Sequence, residues 1–107
     1  DFTYIDDIVD GVVALIDHPP APGGHEVYNI GDSRPVGLMD MIATLESCLG
    51  VTAEKIMKPM QPGDVPATYA DIAKLNARIG FKPKIMLEDG LARFTDWWIR
   101  HYGDKAA

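Results

Sequence analysis

Apolar residues recur along this chain at helical spacing in four places, and the punctuation between them marks where each run ends. Ile5, Ile8, Val9, Val12, Leu15 and Ile16 follow the three-and-four rhythm of an amphipathic helix, with Asp6, Asp10 and Asp17 on the opposite, solvated face. This run stops at His18, because Pro19 and Pro20 do not continue a helix. Leu38, Met41, Ile42, Leu45 and Leu49 predict a second helix, closed by Gly50 as a left-handed C-terminal residue. Ile72, Leu75 and Ile79 predict a short third helix that Asp71 caps and Gly80 ends. Leu91, Phe94, Trp98 and Tyr102 mark a fourth from about Leu87 to Tyr102, with Asp89, Arg93, Asp96 and Arg100 mostly opposite. Trp97 widens its apolar face, and the two tryptophans read as core or interface anchors.

Between these runs lie segments of strand composition. Asp1 to Tyr4 reads as a strand end, and Glu26 to Ile30 (EVYNI) as a strand between the APGG loop and Gly31, buried on at least one face. Ala53 to Met60 fits both a helical stripe and a strand, and the strand is preferred. The expectation is an α/β fold of short strands with about four helices, in one domain over residues 1–107.

Composition narrows the partners. At 47% hydrophobic and 24% charged residues the chain has the balance of a folded globular domain. A net charge of -6 argues against nucleic acid or an anionic membrane, either of which needs a basic stripe. Lys55, Lys58, Lys74, Arg78, Lys82 and Lys84 form none, since acids and prolines interrupt them. The run Ile8 to Ile16 is shorter than the ~20 apolar residues that span a bilayer, and Asp10 breaks it. Cys48 is the single cysteine, which points to a reducing, cytoplasmic setting, and its helix face suggests packing. The opening DFTYIDD carries no methionine and no signal peptide and reads as the middle of a larger polypeptide.

Candidate chemistry is sparse. His18, His25 and His101 are scattered and Cys48 has no partner at ligand spacing, so no metal is expected. Neither Ser33 nor Ser47 sits in a G-x-S-x-G elbow, and no G-x-G-x-x-G is present. Asp6 and Asp7 allow an acid/base pair, but helix neighbours point about 100° apart, and the macrodipole favours acids in a first turn. The stretch Gln61 to Asp71, QPGDVPATYAD, holds more. Pro62 fixes its own φ, Gly63 admits angles other residues avoid, and Asp64 adds a carboxylate. Such a loop is either a tight turn or a shaped ligand contact. The residues alone describe a soluble α/β domain with one shaped acidic loop, and they name no reaction.

Four motifs, DFTYIDDIVDG, YNIGDSRPV, MQPGDVPATYAD and IGFKPKIMLEDGLARFTDWW, run in this order over nearly the whole chain. Their order and spacing resemble the C-terminal third of extended short-chain dehydrogenase/reductase nucleotide-sugar epimerases, most closely the UDP-glucuronate 4-epimerase group. The resemblance implies a small C-terminal substrate-binding lobe that closes over a Rossmann-type domain, itself absent from these 107 residues. Such enzymes use bound NAD to oxidise the sugar at C4, let the ketose turn over, and return the hydride to its other face. Their base is the tyrosine of a Tyr-x-x-x-Lys pair. Here Ile8, Asp32 and Ala73 follow Tyr4, Tyr28 and Tyr69 at that offset, and Lys105 lies only three residues beyond Tyr102. No catalytic or cofactor-binding residue is therefore assigned, and NAD is implied for the full-length family only.

By resemblance Gln61 and Asp64 bind the nucleotide-sugar, with Asp64 near the ribose hydroxyls. Gln61 stands where many relatives carry a phosphate-pairing arginine and supplies no charge, so the isolated chain is expected to hold a UDP-sugar weakly. Arg34 belongs to a matching segment without a physical reason to touch ligand. Ile85 and Met86 replace the usual Thr-Ser before the last helix, which removes a hydroxyl cap. Surface uncovered by the absent Rossmann domain favours self-association. Two other readings stand beside this one: a free-standing interaction or nucleotide-binding module descended from such an enzyme, or the same lobe of a nucleotide-sugar dehydratase or decarboxylase.

Overall fold

Periodicity and end signals agree with the helices found in the computed structural model, which describes residues 1–103. They are α1 (Ile5–Ile16), α2 (Leu38–Leu49), α3 (Ala73–Ile79) and α4 (Leu87–Tyr102). Gly50 ends α2 at φ 68° and Gly80 ends α3 at φ 70°, the left-handed conformation that glycine adopts without penalty. Asp71 caps α3 from just outside it, its Oδ1 accepting the Ala73 N–H at 2.9 Å. No side-chain cap starts α4 at Met86, where Glu88 and Asp89 place negative charge in the first turn instead.

The expected α/β fold is corrected here. Among the described residues there is no strand, and Asp1 to Tyr4, Glu26 to Ile30 and Ala53 to Met60 carry no ladder. Strand composition marks a segment suited to a pleated surface, but a ladder needs a neighbouring backbone to exchange N–H and C=O bonds. None of these segments has one among the described residues. In EVYNI, Val27 is 74% exposed while Tyr28 and Ile30 are partly buried, so the segment keeps one covered side without forming a strand.

Two compact units form. The first comprises Asp1–Pro35 with Ala67–Ile85 and holds α1 and α3. Leu75 of α3 is fully buried in it, and Phe81 nearly so. Gly11 of α1 makes room for the Phe81 ring: a Cβ there would lie 3.2 Å from Phe81 Cε2 and 3.3 Å from Ile30 Cδ1. One turn earlier, the buried carboxylate of Asp7 accepts the N–H of Lys84 (3.1 Å to each oxygen) and of Ile85 (3.0 Å to Oδ2). Asp7 therefore serves as a backbone clamp, a role that neither the acid-pair nor the macrodipole reading of Asp6 and Asp7 anticipates. Arg78 reaches from α3 to the carbonyls of His18 (3.3 Å) and Pro19 (3.0 Å), supplying the cation that the C-terminal end of α1 lacks in its own last turn.

The second unit comprises Val36–Pro66 and the segment from Met86 onward, and α2 packs on α4 within it. Leu45 and Leu49 face Phe94, Thr95 and Trp98 around an apolar cavity of about 220 Å³. Thr95 is buried, and its hydroxyl donates to the Ala92 carbonyl at 3.0 Å, which satisfies it inside an apolar setting. Cys48 is half-buried on α2. After α2, Glu46 holds the returning chain by accepting the Ala53 N–H at 2.7 Å and the Lys55 ammonium.

Candidate functional site

Three of the motif segments meet at one carboxylate in the first unit. Oδ1 of Asp1 accepts the Asp32 N–H at 3.0 Å, and Oδ2 accepts the N–H of Ser33 (3.1 Å) and of Ala70 (2.8 Å). Thr3 Oγ1 takes a second share of the Asp32 N–H at 3.0 Å. Ser33 sits at φ 58°, unusual for a residue with a side chain, and its hydroxyl closes on the Ala70 carbonyl at 2.5 Å. Gly31 is required by contact: a Cβ there would stand 2.4 Å from Ala70 Cβ and 3.1 Å from Asp1 Oδ2. Asp32 is buried beside them and takes a two-point bond from Arg34, Nε at 3.0 Å and Nη2 at 2.5 Å. Arg34 is thus engaged with its own loop.

Beside this junction lies an open depression of about 510 Å³, lined by Asp1, Thr3, Tyr28, Asn29, Ile30, Gly31, Thr68, Tyr69 and Ala70. Tyr69, among its lining residues, is 65% exposed. On the neighbouring surface Tyr28 donates its hydroxyl to Glu26, and the Lys74 ammonium stands 4.6 Å over the Tyr28 ring while donating to the Val27 carbonyl at 2.9 Å. The Tyr28 bond holds the Glu26 carboxyl below the usual carboxylate range, and the same bond pushes the Tyr28 phenol up.

Gln61 and Asp64 belong to the second unit, where both are exposed. The Asp64 N–H donates to the Gln61 carbonyl at 3.1 Å, and Gly63 lies at φ 96°. Proline at the second position and a positive φ at the third are the pattern of a type II β-turn. Local chemistry thus shapes this loop as the sequence indicates, and both side chains stand at the surface. The residues that sequence reading missed are Asp1 and Asp7, whose partners lie far along the chain.

No protein-family model matches the chain. Full-length proteins do. A probable UDP-glucuronate 4-epimerase of Rhizobium meliloti is 39% identical over 95% of this chain and 35% of its own length. UDP-glucuronate 4-epimerase 4 of Arabidopsis thaliana is 39% identical over 100% of this chain and 27% of its own length. The crystal structure of UDP-glucuronic acid 4-epimerase from Bacillus cereus, in complex with UDP-glucuronic acid and NAD, superposes at a TM-score of 0.84. It is 35% identical, over 95% of this chain and 32% of that one. The chain's homologues are UDP-glucuronate 4-epimerases. It matches their C-terminal part and spans 35% and 27% of the length of these two curated relatives.

NAD is named with the Bacillus cereus epimerase. The residues here do not fit it as a self-contained cofactor site: no glycine-rich strand–turn–helix occurs among the described residues, and no tyrosine of the sequence has a lysine four residues on. Among the described residues no group of three or more His, Cys, Asp or Glu could hold a metal ion, and no helix is long and apolar enough to cross a membrane.

Proposed function

We propose that this chain is the nucleotide-sugar-binding part of an NAD-dependent, UDP-glucuronate-type 4-epimerase, not catalytic by itself. The observation that carries the reading is the match of 35% identity and TM-score 0.84 to the Bacillus cereus epimerase over nearly all of this chain. The Gln61–Asp64 turn supplies chemistry suited to a nucleotide: the Asp64 carboxylate accepts hydrogen bonds from ribose hydroxyls, and the Gln61 carboxamide donates without adding charge. The turn is held by Pro62, Gly63 and its own 3.1 Å bond, so little ordering is lost when a ligand binds. Cofactor and catalytic base come from the rest of the polypeptide.

Titration of the chain with UDP, UDP-glucuronate and glucuronate, followed by amide NMR shifts, tests this. The expected result is weak binding, with Kd about 1 mM or above, shifts centred on Gly63 and Asp64, and their loss in Asp64→Ala. Binding at micromolar Kd or tighter, or shifts that bypass this turn, would overturn the assignment. Epimerisation of UDP-glucuronate by these 107 residues alone would overturn the non-catalytic part.

A further inference from the structure

Between α2 and the Gln61–Asp64 turn, residues 51–60 run without helix, turn or bend, and every one of them is exposed. Ile56 and Met57, at its middle, are 76% and 75% exposed. The chain holds this run from one edge, where Glu46 accepts the Ala53 N–H at 2.7 Å. In an extended chain successive N–H groups point to opposite edges, so residues 53, 55 and 57 share the edge turned toward Glu46. Glu54, Ile56 and Lys58 direct their N–H and C=O groups to the other edge, and among the described residues none of these N–H groups meets a backbone acceptor. Pro59, which has no N–H to give, falls on the held edge and interrupts nothing on the open one.

We infer that residues 54–58 are a pairing edge for a second copy of this chain, joined antiparallel about a two-fold axis through Ile56. Charge selects both the occupant and the register. Two copies of the open edge can meet about Glu54, Ile56 or Lys58. An axis at Glu54 sets glutamate opposite glutamate, and one at Lys58 sets lysine opposite lysine, both destabilising. The axis at Ile56 places Glu54 of each copy opposite Lys58 of the other, with the two Ile56 side chains between these pairs on the same face. A surface that is its own complement is what a two-fold contact requires. A single strand pair is a small contact, so the dimer is weak, with Kd about 0.1–1 mM. Gln61 and Asp64 lie outside the ladder, so this pairing stands independently of the proposed function.

Sedimentation equilibrium of the 107-residue chain should show monomer and dimer in exchange. Mixed labelled and unlabelled chains should give an interchain NOE between the Hα protons of Lys55 and Met57, which this register brings face to face. A monomer at about 1 mM overturns the inference and leaves the edge to a different strand. Ile56→Pro deletes a donor on the open edge and should abolish the dimer, whereas Met57→Pro deletes one on the held edge and should leave Kd within about threefold. A dimer that survives Ile56→Pro, or is lost equally in Met57→Pro, overturns the inference. Charge reversal keeps the backbone intact and decides the matter where a proline disturbs the fold. Lys58→Glu and Glu54→Lys should each weaken the dimer about tenfold, since each makes two attractive pairs repulsive, and Glu54→Lys/Lys58→Glu should restore it. Overall charge alone predicts the opposite for Glu54→Lys, which brings the net charge of -6 nearer zero, so a dimer tightened by that substitution also overturns the inference.

Discussion

The two units of this chain are held together in different ways. The first has long stretches without regular structure, and it orders them with carboxylates that grip backbone N–H groups: Asp1 at Asp32, Ser33 and Ala70, and Asp7 at Lys84 and Ile85. The second relies on two helices whose Leu45, Leu49, Phe94 and Trp98 side chains meet, with Glu46 clipping the chain after α2. A carboxylate clamp is directional and concentrated in one side chain, so losing it leaves several buried donors without a partner. A seam of half-exposed apolar side chains spreads its contribution and yields gradually. The first unit should therefore fail at single points and the second by degrees.

The sharpest break of this contrast is Asp7→Ala. Removing the buried acceptor of the Lys84 and Ile85 N–H groups should cost about 3 kcal/mol, read as a lower urea midpoint at unchanged slope. A midpoint equal to that of the unsubstituted chain would show the clamp to be dispensable. Next comes Gly31→Ala, whose added methyl meets Ala70 Cβ at 2.4 Å and should cost about 2 kcal/mol. Adding Ala70→Gly should recover part of that loss, and no recovery would place the cost elsewhere than in this contact. In the second unit Leu45→Ala should cost about 1–2 kcal/mol, below the range for fully buried leucines because Leu45 is half-buried. A loss as large as that of Asp7→Ala would erase the difference between the units.

The smallest effect is a pH dependence. The Lys55 ammonium and the Ala53 N–H hold the Glu46 carboxyl below its ordinary value. A carboxylate lowered in the folded state contributes stability that is present above its unfolded pKa and lost as pH falls through the folded one. The clip should therefore weaken only in acid. Carbon-detected NMR titration of Glu46 should show its midpoint rising toward the ordinary range in Lys55→Met; an unchanged midpoint would remove Lys55 as the cause.

Legibility in the sequence followed distance along the chain. Gly50, Gly63 and Gly80 act on their own backbone, so two helix ends and the Gln61–Asp64 turn could be read from local composition. The bonds of Asp1 to Ala70 and of Asp7 to Ile85 cross 69 and 78 residues, and nothing beside Asp1 announces its own. One faint signal existed for Asp7: Gly11 follows four positions later on the same side of α1, and a small residue above an acid suits close approach of another segment. The strand expectation failed for the complementary reason, since EVYNI describes a segment's own preference, whereas a ladder belongs to two segments at once.

By itself the sequence determined four helices with their end signals, a turn shaped by Pro62 and Gly63, and the motif order shared with nucleotide-sugar epimerases. These depend on backbone preference within a few residues. Only the tertiary structure decided that the motif segments converge on Asp1, that Asp7 is a clamp, and that α1 turns its apolar stripe outward. Periodicity shows that a helix has two faces; which face is covered depends on what the rest of the chain, or of a longer polypeptide, brings to it.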